Sequence, residues 1–98
     1  MLEKERSQQK RQEIRDYLAN IKNRSGCIDC KNMYPHYMLD FDHVSNNKTN
    51  NISFMARWYS MEDIENEIAK CEIVCANCHR ERTYKRQHEK KQSKKLML

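Results

Sequence analysis

The chain has no apolar run approaching the roughly 20 residues that a membrane span requires, and no apolar stretch near its N-terminus that could act as a signal peptide. A membrane partner is therefore not expected. No internal repeat is visible. Apolar residues are few for the size: 38% hydrophobic against 34% charged over 98 residues describes one small domain that cannot bury a generous core unaided. The cysteine count is odd, at five, which argues against a full disulfide framework and makes a reducing, cytoplasmic setting the expected one. The sequence also lacks the strand-helix-strand pattern of a thioredoxin-like redox protein.

What is present is Cys27-Ile28-Asp29-Cys30 and Cys75-Ala76-Asn77-Cys78-His79, two Cys-x2-Cys pairs separated by 44 residues. Two intervening residues make a tight knuckle that aims both sulfurs at one centre. The two pairs together favour one structural Zn2+ held by Cys27, Cys30, Cys75 and Cys78 over a redox dithiol. Structural zinc contributes roughly 10–16 kcal/mol of apparent binding free energy in small modules, enough to replace the missing core. Cys71 is left over and reads as a small buried residue.

Charge is uneven. Residues 1–24 hold seven basic against four acidic residues, 25–79 four against eight, and 80–98 eight against two. Basic arms attract polyanions by counterion release, whereas acids near phosphate need a divalent cation between them. The expected layout is a basic N-terminal helix over 1–24, a zinc domain over 25–88 and a basic tail over 89–98. The first helix spans residues 3–22, with Ile14, Tyr17, Leu18 and Ile21 on one face. Its first half, with Lys4, Arg6, Lys10 and Arg11, is a solvated overhang or a phosphate-contacting arm.

Tyr37 to Asp42 alternates and reads as a strand with Tyr37, Leu39 and Phe41 on one face and Asp40 and Asp42 on the other, ending at Asp42-His43. Asp40 reads as a solvent-facing carboxylate or a neighbour of the site. An Asn-rich loop continues through Ile52 to Tyr59, where Arg57 among aromatics either belongs to a small core or touches nucleic acid. Ser60-Met61-Glu62-Asp63 resembles a capping box opening a helix to about Lys70, with Met61, Ile64 and Ile68 inward and Glu62, Asp63, Glu65 and Glu67 solvated. Residues 72–74 form a brief strand. A last helix runs from Ala76 to about Gln92, carrying Arg80, Arg82, Lys85 and Arg86 as expected nucleic-acid contacts.

The order Cys-x2-Cys, Asp42-His43 at a strand end, and Cys75-Ala76-Asn77-Cys78-His79 opening a helix resembles the zinc-knuckle subgroup of the HNH endonucleases, over residues 27 to about 86. The resemblance implies an α+β, zinc-stabilised ββα-metal fold and a phosphodiester hydrolase acting on DNA. It implies His43 as general base, and Asp42 and His79 as ligands of a catalytic Mg2+ or Mn2+. The family's middle Asn falls at Lys70, so Asn77 is the available substitute for orienting His43; it could equally cap the helix or bond a thiolate. Low specificity alone, or targeting by a protein partner, is expected, and the resemblance implies an origin in phage or mobile elements. The contrasting class is a noncatalytic zinc module that binds nucleic acid or protein.

Overall fold

A computed structural model describes the backbone of residues 7–96 and the side chains of residues 7–89. Among these, four α-helices and one two-stranded antiparallel sheet make a small α+β fold: α1 (Gln8–Ser25), a 3-10 turn (His36–Met38), β1 (Leu39–His43), α2 (Ile52–Trp58), α3 (Met61–Ile68), β2 (Cys71–Cys75) and α4 (Ala76–Leu96). None of the described helices is long and apolar enough to cross a membrane. Lys4 and Arg6 lie outside the described residues, as do the side chains of Lys90 and Lys91.

The first helix begins later than its charge pattern suggests, because Ser7 caps it by accepting from the Lys10 amide. It is not merely an arm. Ile14 is fully buried against Ile52, Met55, Ala56 and Ile64, with Leu18 packed alongside. Gly26 stops it at a φ of +66°, ψ −168°, and a β-carbon there would meet Met33 Sδ at 2.6 Å and the Asn32 carbonyl at 2.8 Å. Only glycine turns the chain into the first knuckle here.

The segment expected as loop from Ile52 onward is instead α2. Ile52, Met55 and Ala56 fall at i, i+3 and i+4 and are all buried, so a helical period was present in a stretch whose aromatics drew attention first. Ser60 caps α3 by accepting from Asp63 N at 3.1 Å, as the capping box suggests. Tyr37 lies in the 3-10 turn before β1 and is exposed, so it does not share a strand face with Leu39.

Strands β1 and β2 pair with Leu39 opposite Cys75, Phe41 opposite Ile73 and His43 opposite Cys71. A second small core forms where Leu39 and Val74 pack with Cys27 and Cys75. Since β2 runs directly into α4, the second knuckle bridges the end of a strand and the first turn of a helix. That helix continues past position 88 without a break.

Candidate metal centre and adjoining cavity

The thiols of Cys27, Cys30, Cys75 and Cys78 all lie within 4.8 Å of one another. Four thiolates about 2.3 Å from a shared ion stand about 3.8 Å apart, so this set could hold a metal such as zinc. Both knuckles carry the same support: the Cys30 amide reaches Cys27 Sγ at 3.5 Å, and the Cys78 amide reaches Cys75 Sγ at 3.4 Å. Burial raises the Cys27 thiol, but amide hydrogen bonds outweigh it and bring it down to about 6, while hydrogen bonding to Cys75 pushes Cys78 up to about 12. A divalent cation bound there takes all four as thiolates. Cys71 is set apart; burial pushes its thiol up to about 11.

Beside this centre lies a cavity of about 780 Å³ bordered by Asp40, Asp42, His43, His79 and Arg86, together with residues of α1 and α2. The strand alternation is kept. Asp40 and Asp42 reach His79 on α4, while His43 reaches Glu67 on α3, and because β1 ends at His43 both sides of the strand border the same cavity.

Asp42 is only 4% exposed. Burial raises its carboxyl, but bonds from Arg86 and Arg82 outweigh that and hold it down at about 2. Its Oδ2 accepts from Arg82 Nη1 at 2.8 Å and Arg86 Nη2 at 2.7 Å, and its Oδ1 accepts from Arg86 Nη1 at 3.0 Å. A carboxylate offers about four lone-pair positions, so about one remains, on Oδ1. That oxygen stands 3.4 Å from His79 Nε2. The other nitrogen, His79 Nδ1, lies 3.0 Å from Asp40 Oδ2 and carries the proton of that bond, since a carboxylate can only accept. His79 Nε2 and Asp42 Oδ1 thus face each other across 3.4 Å, beyond ordinary hydrogen-bond length. Ligands about 2.1 Å from one ion at near-right angles stand about 3 Å apart or slightly more, so Asp42 and His79 are the residues bordering this cavity that could hold one. Asp40 is therefore a hydrogen-bond partner of His79, not an isolated solvent-facing acid.

Glu67 is the residue that sequence reasoning missed. It was expected to be solvated, yet it is 2% exposed. Burial raises its carboxyl, and the Thr49 amide, Lys70 and His43 together outweigh this and hold it down at about 2. Oε2 takes the Thr49 amide at 2.8 Å and His43 Nε2 at 2.9 Å; Oε1 takes Lys70 Nζ at 2.9 Å. Lys70 Nζ also donates to the Asn47 carbonyl at 2.8 Å, pinning the loop before α2. The signal was legible: Glu67 follows Ile64 by three positions and precedes Ile68, on the same face as the apolar stripe. Because ionised Glu67 accepts from Nε2, the proton of a neutral His43 ring sits there and Nδ1 keeps the lone pair. Asn77, expected to orient His43, instead stands exposed in the first turn of α4, and Glu67 makes that bond.

The expected nucleic-acid contacts divide. Arg82 is committed within the fold: Nε and Nη2 fork onto Asp29 at 2.7 Å each, Nη2 also reaches Glu72 at 2.8 Å, and Nη1 holds Asp42. It is not an open phosphate contact, and these carboxylates push its already high pKa further up. Arg86 is half-exposed but spends two nitrogens on Asp42. Arg57, Arg80 and Lys85 are exposed, with Lys85 only 3.6 Å from Glu81 one turn earlier.

Replacing Glu67 with Gln is expected to destabilise the domain by about 3–5 kcal/mol, the usual cost of removing one partner from a buried ionic network. The pH dependence has a definite sign. Glu67 is held at about 2 in the fold against an ordinary 4.5, so its stabilisation is complete above pH 4.5 and declines as pH falls from there toward 2. Denaturant titrations in zinc-containing buffer should therefore show a gap between wild type and Glu67→Gln that does not shrink from about pH 7 down to about pH 5, above the range in which the thiolates are protonated and lose the metal. A gap already shrinking above about pH 5 would show that Glu67 is not held as a carboxylate by Lys70 and His43.

Comparison of this chain with protein-family models, curated proteins and solved structures yields no match.

Proposed function

We propose that this chain is a metal-dependent endonuclease of the HNH type that hydrolyses DNA phosphodiester bonds, with zinc in the four-cysteine centre. The observation that carries this reading is the shared cavity: His43, with its Nε2 engaged by a buried carboxylate, borders the same space as the Asp42 and His79 pair. A neutral imidazole held in one tautomer is suited to removing a proton from water. His43 Nδ1 takes that proton as the water oxygen attacks phosphorus, and Glu67 stabilises the resulting imidazolium through Nε2–H. Asp42 and His79 would hold the Mg2+ or Mn2+, and Asp40, accepting from His79 Nδ1, keeps that ring in place. When bound, that ion neutralises the charge developing on the phosphate and the leaving 3′ oxygen.

The clamp of Arg82 and Arg86 on Asp42 favours a second reading, a noncatalytic zinc module that binds nucleic acid and in which Asp42 serves only to join β1 to α4. Incubating zinc-loaded protein and supercoiled plasmid with Mg2+ or Mn2+, beside an EDTA control, separates the two. Nicking that requires the ion supports the enzyme; retained DNA binding without nicking supports the module.

Asp40→Asn gives a finer test. Loss of a ring-orienting carboxylate typically weakens metal affinity by about 10–100-fold, so half-maximal nicking should require correspondingly more Mn2+. An unchanged Mn2+ requirement would remove His79 from the metal site.

A further inference from the structure

The 780 Å³ cavity does not end at β1. Leu18 of α1 and Ser53 of α2 also border a second cavity of about 350 Å³, lined otherwise by Arg11, Arg15, Ala56 and Arg57. Sharing those two side chains, the cavities adjoin as an α1–α2 groove whose inner part is bordered by His43 and His79.

Its charge is sorted. At about 100° per residue, Arg11, Arg15, Leu18 and Lys22 fall within an arc of about 60° on α1, and all four line the groove. The acids of the same helix, Glu13 and Asp16, lie on the opposite side and are exposed. Among the described residues no acid lines the outer cavity, and the inner one has Asp40 and Asp42, already bonded to His79, Arg82 and Arg86. Arg57 faces the groove from α2, and Lys48 borders the inner cavity from the loop before it. In the inner cavity, Lys22 is held with its ammonium 4.8 Å from the centre of the Phe41 ring.

The stripe also has a suitable length. Arg11 to Lys22 rises about 16 Å along α1, the rise of about five nucleotides of one B-form strand. Such a one-sided cationic track leading to a hydrolytic cavity is complementary to a phosphodiester backbone.

Resting on the endonuclease reading, we infer that the α1–α2 groove is the track along which one strand of duplex DNA approaches the His43–His79 cavity, its phosphates contacted by Arg11, Arg15 and Arg57 at the outer end and by Lys22 and Lys48 at the inner end. The contacts are to phosphate, so the groove gives affinity and register without sequence preference.

The test compares two variants of equal net charge in the zinc-loaded full chain. One is Arg15→Gln with Arg57→Gln, both exposed and lining the groove; the other is Lys10→Gln with Arg24→Gln, both exposed and off the stripe. Affinity for a labelled duplex of about 20 base pairs is measured by fluorescence anisotropy across salt concentrations, without Mg2+ or Mn2+. The groove variant should lose about tenfold or more in affinity at about 0.1 M salt, and its log–log salt slope should become shallower by about 1.8, two contacts at about 0.9 each. The off-stripe variant should lose less than half of that slope. Equal losses in the two variants, an unchanged groove variant, or a wild type that does not bind duplex would each overturn the inference. Plasmid nicking is scored separately: a binding loss specific to the groove variant with no nicking by wild type would leave the track standing and remove the enzyme, whereas ion-dependent nicking with equal binding losses would do the reverse. Circular dichroism melting curves that match wild type confirm that the exposed substitutions leave the fold intact.

Discussion

Replacing His43 with alanine is expected to reduce ion-dependent plasmid nicking by about 10²–10⁴-fold, the usual contribution of a positioned general base. The fold should survive, because Glu67 keeps two of its three partners: the Thr49 amide and Lys70 Nζ remain on its oxygens when the imidazole is gone. One hydrogen bond to a charged group is lost, costing about 1.5–3 kcal/mol. Zinc content, duplex affinity and the shape of the circular dichroism spectrum should therefore match wild type while nicking disappears. A variant that nicks at the wild-type rate would dismiss His43 as the base, and one that loses zinc or structure would show that the Glu67 contact is chiefly architectural.

The largest effect on stability should come from the cysteine centre. Cys75→Ser, or removal of zinc by a chelator, is expected to leave the chain largely unfolded, since about 10–16 kcal/mol of apparent zinc binding energy equals or exceeds the 5–15 kcal/mol net stability of ordinary domains. The packing supplies a second reason. The buried cluster around the knuckles consists of Cys27, Leu39, Val74 and Cys75, so half of it belongs to the candidate metal centre and little apolar interior remains to hold the knuckles without an ion. Far-UV circular dichroism with zinc release followed by a chelating dye measures this directly. A Cys75→Ser protein that melts cooperatively near the wild-type temperature without bound metal would overturn the structural role of the centre.

The knuckles were the most legible part of the chain, because two Cys-x2-Cys spacings encode a local geometry that needs no tertiary knowledge. The strand ending at His43, the cap at Ser60 and the helix opening at Ala76 were legible for a similar reason: each rests on neighbours in sequence. The ionic partners of Glu67 and Arg82 were hidden because they are distant, although the burial of Glu67 could be read from its place beside Ile64 and Ile68. Glu67 meets His43 across 24 positions and Arg82 meets Asp29 across 53, and a charged residue on a helix looks solvated until the opposite charge is brought to it. Helix α2 was hidden differently. It is only seven residues long, and Phe54, exposed in the fold, obscured the spacing of Ile52, Met55 and Ala56.

Arg82 gives the molecule a mechanical property. A single guanidinium joins Asp29 inside the first knuckle, Asp42 on β1 and Glu72 on β2 to α4. One side chain thus fastens the cysteine loop, both strands and the last helix to one another, so Arg82→Ala should loosen the loop and the cavity wall together, read as faster amide exchange in both.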